Sequence, residues 1–168
     1  KLYCENLGHY YSHHYHQLSK DFEHNLIDFR SIRFSGLIST LTEPQGGTSD
    51  YIPQMLHAAA RREIYDCFVQ NNTRMPFMVM PEAINSIISL MDSPIDYIKS
   101  QVYHLSTFNP TPEEFYNCLI QYFPDFKINY DINLKRQEMV DSWPMDLNCD
   151  RAIGEWKWNP QYNLETAF

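Results

Sequence analysis

At 168 residues the chain is the size of one domain, and an apolar share of 43% with 15% aromatics is ample for a core. Thirteen basic against 21 acidic residues give a net charge of −8, which argues against nucleic acid as a partner, because a phosphate-binding surface needs a basic stripe. Cys4, Cys67, Cys118 and Cys149 form no Cys-x-x-Cys pair, which argues against a zinc ribbon or disulfide scaffold and for a reducing compartment, and no apolar run approaches the roughly 20 residues of a membrane span.

Leu2 to about Lys20 reads as one helix carrying Tyr3, Leu7, Tyr10, Tyr11 and Leu18, ending before the polar stretch Asp21 to Asn25. Ile27 to Phe34 reads as a strand, and Gly36-Leu37-Ile38 follows it directly. Asp50, or Ser49 beside it, can cap a helix with Tyr51, Ile52, Met55, Leu56 and Ala59 at helical spacing, with Pro53 tolerated in the first turn. A short strand is expected from Tyr65 to Val69. Pro81 suits a first helical turn, after which Ala83, Ile84, Ile87, Ile88 and Met91 make an apolar stripe.

Val102 to Ser106 reads as a further strand, and Thr111-Pro112-Glu113-Glu114 is a capping box with proline at the first helical position. Phe115, Leu119 and Tyr122 supply that helix's buried face, Pro124 stops it, and Phe126, Ile128 and Tyr130 alternate as a strand. Repeated β-α alternation predicts an α/β fold with parallel strands, in which a half sheet would leave an open edge.

Several residues invite a functional reading beside a plain one. Gly36 lets backbone come close to a cofactor, or simply turns the chain. Gly46-Gly47-Thr48-Ser49-Asp50 offers amides and hydroxyls to an anion, or is a capped loop. Trp143, beside Pro144, is equally a pocket lid or a core anchor. Arg74 is a cofactor or subunit contact, or a surface charge, and Met75, Met78 and Met80 read as core. His9, His13 and His16 share one helical face, with His14 beside them, but no Cys, Asp or Glu completes a metal set there, so no metal is expected.

Six segments then carry a resemblance: Ile32-Arg33-Phe34-Ser35-Gly36-Leu37-Ile38-Ser39, Gly46 to Tyr51, Thr73-Arg74-Met75-Pro76 through Ile84, Phe108 to Glu114, Asp141-Ser142-Trp143-Pro144, and Trp156 to Leu164. In this order the chain resembles the C-terminal half of L-threonine 3-dehydrogenases of the extended, epimerase-like short-chain dehydrogenase family. The resemblance implies a Rossmann-type fold, with residues 1–40 the last part of the nucleotide-binding domain and 41–168 mainly the substrate-binding region. It implies NAD as cofactor and oxidation of the 3-hydroxyl of L-threonine to 2-amino-3-oxobutanoate.

In that family a Tyr-x-x-x-Lys pair supplies the base, the cation lowering the tyrosine pKa from about 10. The resemblance places Lys1 on that lysine, with the tyrosine upstream of a chain that opens on Lys rather than Met. No Gly-x-Gly-x-x-Gly turn is present either. By the same resemblance Lys1, Gly36, Leu37 and Ile38 contact the cofactor, while Thr48, Ser49, Asp50 and Trp143 surround the substrate, Thr48 near its carboxylate and Asp50 near its ammonium. Two departures stand out: Ser35 replaces the family's proline and Ser49 its second threonine. A homodimer is implied through Tyr10, Tyr11 and Tyr15, as is a mitochondrial location in an animal or protist and a cytoplasmic one otherwise. The alternatives are a sugar-nucleotide epimerase or dehydratase, and a non-catalytic remnant or interaction module.

Overall fold

A run free of proline and β-branched residues forms α1, Leu2–His13, in the computed structural model, which describes residues 1–23 and 27–167. The expected continuation to Lys20 does not form, because Tyr15 N–H reaches back to the Tyr10 carbonyl and His16 takes φ 58°, a left-handed stop. The stretch Asp21 to Asn25 lies partly outside the described residues. Gly8 lets α1 lie against Phe29, whose ring stands 2.3 Å from where a Cβ would be.

β1, Ser31–Phe34, starts later than the expected Ile27. Its partner strand sets the limit, with Ser31 opposite Val102 as the first register pair. Glu5 receives Arg33 Nε at 2.8 Å and Nη2 at 2.5 Å, tying α1 to this strand, and the guanidinium holds the Glu5 carboxyl below the usual carboxylate range.

β2, Gly36–Ile38, is a strand rather than a turn. α2, Tyr51–Arg61, buries Tyr51, Ile52, Met55 and Ala59 as its spacing predicts, while Leu56 is only partly buried and Ala58 is buried as well, and Arg62 at φ 59° ends it. β3, Tyr65–Cys67, is shorter than expected, β4 is Phe77–Val79, and α3, Met80–Asp92, carries Pro81 in its first turn. Arg30 donates to the Leu90 and Ser93 carbonyls and so satisfies the C-terminal end of α3.

The apolar stripe on α3 is largely open: Ile84, Ile87, Ile88 and Met91 are 42% to 71% exposed, while its Ala83, together with Ser86 and Leu90, is covered. The buried carboxylate of Glu82 explains the roll of the helix. It takes the N–H groups of Gln161 and Tyr162, so α3 turns that side inward.

β5, Val102–Leu105, is followed by α4, Pro112–Tyr122, whose capping box forms as predicted: Glu114 N–H donates to Thr111 Oγ1 at 3.1 Å and Thr111 N–H to Glu114 Oε2 at 3.0 Å. β6, Ile128–Tyr130, omits Phe126, whose N–H closes a turn on Phe123. α5, Leu134–Asp141, and α6, Asp150–Trp156, complete the order. Glu155 of α6 accepts from Lys99 N–H, Ser100 N–H, Ser100 Oγ and Tyr103 Oη at 2.6 to 2.9 Å, pinning α6 to the entry of β5.

The strands form three parallel pairs, β1 with β5, β2 with β4 and β3 with β6. Two cores result. Phe77 and Val79 join Tyr51, Met55, Phe115 and Leu119 in one, while Met78 between them joins Leu105, Tyr103, Trp156 and Trp158 in the other. Alternation along β4 therefore makes it a wall with both faces buried. Among the described residues no helix is long and apolar enough to cross a membrane.

Candidate functional site

The structure places the predicted site residues in three separate places: the cavity of Lys1 and Leu37, the loop of residues 46–50, and the cavity beside Trp143. Lys1, Glu5, Ser35 and Leu37 line one open cavity of about 920 Å³ between α1 and β1. Only Leu37 of the Gly36-Leu37-Ile38 trio belongs to it. Ile38 is 6% exposed and packs in the first core, and Gly36 gives its N–H to the Pro76 carbonyl. The space left by the missing Gly36 side chain is filled by the Phe77 ring, 2.5 Å from a built Cβ.

Ser35 behaves differently from a proline. Its N–H donates to the Leu105 carbonyl at 3.0 Å, extending the β1–β5 pairing by a bond that proline cannot make. Its hydroxyl is buried beside the Lys1 cavity and has no hydrogen-bond partner among the described residues.

The loop before α2 is closed on itself. Gly46 sits at φ +85°, where glycine is needed, and its carbonyl accepts from Arg136, whose guanidinium lies 4.4 Å over the Phe68 ring. Asp50 turns its carboxylate back to Gly47 N–H at 2.7 Å instead of capping forward into the helix. That amide is consequently not free for an anion. Thr48 Oγ1 points to Met139 Sδ at 3.4 Å, so the loop stands on α5.

Trp143 follows the end of the same helix, its N–H donating to the Val140 carbonyl. It is 37% exposed and lines a cavity of about 360 Å³ with Thr73, Arg74, Gln137 and Asp141, whose lining does not include residues 46–50. Gln137, only 5% exposed, organises this wall. Its importance escaped the sequence reading, although Asn133 capping Arg136 N–H was an available signal for the start of α5. Arg74 donates to the Asn109 carbonyl and, at 2.6 Å, to Glu114, which holds the Glu114 carboxyl below the usual range.

Of the expected face His9, His13 and His16, only His9 and His13 stack, with ring centroids 4.5 Å apart and His14 beside them; His16 lies past the end of α1 against Tyr15, and Gln101 holds His9 and Ser12. Among the described residues no group of three or more His, Cys, Asp or Glu is arranged to hold a metal.

No family model matches the chain. It is 42% identical over 146 residues to an uncharacterized epimerase/dehydratase of Staphylococcus saprophyticus, covering 85% of this chain and 45% of that protein. It is 29% identical over 164 residues to the mitochondrial L-threonine 3-dehydrogenase of Bos taurus, covering 98% and 41%. A GalE-like L-threonine dehydrogenase from Cupriavidus necator superposes with a TM-score of 0.85 at 32% identity, over 97% of this chain and 50% of that one.

Its homologues and structural neighbours are L-threonine 3-dehydrogenases and members of the epimerase/dehydratase family. It spans about half the length of the curated relatives it matches, corresponding to their C-terminal half. The parallel pairing of all three strand pairs is consistent with the Rossmann-type fold of these structural neighbours.

Proposed function

We propose that the chain is the substrate-binding half of an NAD-dependent L-threonine 3-dehydrogenase, with residues 1–40 completing its nucleotide-binding domain and 41–168 mainly surrounding the substrate. The observation that carries this reading is the open cavity that Lys1 shares with Leu37 between α1 and β1, which is large enough to take the nicotinamide end of a cofactor. Lys1 and Leu37 would hold that end of NAD, with Gly36 and Ile38 fixing the strand that presents Leu37. NAD, when bound, supplies the hydride acceptor. Lys1 places its positive charge beside the base that takes the proton of the 3-hydroxyl. Thr48, Ser49 and Asp50, with Thr48 on Met139 near the C-terminal end of α5, and Trp143 just past that end would lie on the substrate side.

A sugar-nucleotide substrate is the second reading, supported by the epimerase/dehydratase relatives. The lining of the Trp143 cavity disfavours it: Arg74 and Asp141 are its only charged residues, so there is no positive surplus for a diphosphate. We also propose a homodimer through the exposed, mutually packed Tyr10, Tyr11 and Tyr15, and a mitochondrial location if the source is an animal or protist, cytoplasmic otherwise.

The test joins this chain to the nucleotide-binding half of the Cupriavidus necator enzyme and follows NAD reduction with L-threonine. Threonine-dependent reduction is expected, falling on the order of a hundredfold with Lys1→Ala. Epimerisation of a UDP-sugar without threonine turnover would overturn the assignment.

A further inference from the structure

We propose that His9 and His13 form a surface chelate for one divalent transition-metal ion of the Zn²⁺ kind at the end of α1. The two residues are four apart on the helix and so lie one above the other, with ring centroids 4.5 Å apart and planes 28° from parallel. Both are exposed, so an ion reaches them without any opening of the fold.

What separates this pair from two solvated histidines is the hub that holds the rings. Gln101, the residue before β5, places its Oε1 2.7 Å from His9 Nδ1, and because an amide oxygen only accepts, the His9 proton sits on Nδ1. The same amide gives Nε2–H to Ser12 Oγ at 2.6 Å, and Ser12, 7% exposed, gives its one hydrogen to the His9 carbonyl at 3.1 Å. The 2.7 Å contact of Ser12 Oγ with His13 Nδ1 is therefore donated by the ring. The His9 carbonyl, another pure acceptor, also faces His13 Nδ1 at 3.3 Å, and the approach of Gln101 Nε2 to that nitrogen, 3.3 Å, is longer than the Ser12 contact.

Both rings thus turn Nδ1–H toward one hub of Ser12 and Gln101 and keep the Nε2 lone pair for a ligand. Histidines that bind metals are oriented in this way, the second ring nitrogen donating to an oxygen. A tetrahedral ion bound at roughly 2.0–2.1 Å needs its two nitrogens about 3.4 Å apart, which stacked rings reach by tilting toward each other. Water takes the remaining positions, so the missing Cys, Asp or Glu rules out a closed structural site but not this open one. His14 turns its Nδ1 to Gln17 Oε1 at 3.4 Å and is not one of the two ligands.

The experiment titrates Zn²⁺ into the 168-residue chain carrying Cys4→Ser, which removes an exposed thiol as a competing ligand, and follows heat and imidazole ¹⁵N resonances. Before metal is added, both rings are expected as the Nδ1–H tautomer. One Zn²⁺ per chain should then bind, moving the Nε2 resonances of His9 and His13 and raising Tm with ion concentration. His9→Ala and His13→Ala should each weaken binding about tenfold or more. His9→Gln, which still has a donor for Gln101, should do the same, so that loss of the ligand is told apart from disturbance of the helix. Gln101→Ala, which removes no ligand, should weaken binding about tenfold, and His14→Ala should leave it unchanged. An Nε2–H tautomer in either ring overturns the proposal. So do affinity that survives loss of either ring, shifts centred on another histidine or a cysteine, and the absence of saturable binding.

Discussion

Gly36 shows how a residue can be read correctly as special and still have its reason misplaced. From the sequence, a glycine straight after a strand gives room for a cofactor; in the fold that room is taken by Phe77 and Met75, whose atoms stand 2.5 and 2.9 Å from a built Cβ. Strand pairing with a segment remote in sequence decides this, and local pattern carries no trace of it. Gly36→Ala should cost about 1–3 kcal/mol by forcing the Phe77 ring aside, read as a lowered urea midpoint. An unchanged midpoint would show that the ring moves freely. Asp50 teaches the same lesson: its place before α2 was legible as a cap, but the carboxylate closes the loop instead. Lys1 and Leu37 were named from the resemblance, and they share a cavity; Thr48 and Trp143 are linked only through α5.

Elements were legible where their signals were local. Thr111 and Glu114 bond each other across three residues, so the start of α4 needs nothing from the rest of the chain. The stripe on α3 was legible as periodicity, but periodicity names a face without saying what lies against it, and Glu82 turned that face outward. The join of α6 to β5 by Glu155 was invisible, because four donors from residues 99–103 meet it only after folding. Burial alone would raise its carboxyl; the bonds from Tyr103, Lys99 and Ser100 outweigh this and leave it lowered from 4.5. With the folded value below the unfolded one, the stabilisation is complete above pH 4.5 and is lost as pH falls through the folded value. Glu155→Ala should therefore cost about 2–3 kcal/mol at pH 7, and the gap from the unsubstituted chain should narrow at pH 3 in urea titrations. A gap independent of pH would assign the loss to packing.

At the scale of the molecule, the α/β class and parallel pairing were legible, whereas division into two cores was not, since β4 is only three residues long and all apolar. Met78→Ala should remove about 2–5 kcal/mol, though its side chain belongs to the core of Trp156 and Trp158 alone. Amide exchange in α2, across the wall, should accelerate together with tryptophan fluorescence loss; protection of α2 that survives loss of the tryptophan signal would mean that the cores melt independently. The two-faced strand also bears on how such a protein can diversify. Phe77, Met78 and Val79 have no solvent side, so a change of bulk there must be accommodated by two sets of neighbours at once. The loop at Thr48 and the turn at Trp143 answer to one side only. Change can therefore accumulate in these surface segments while the partition behind them stays fixed.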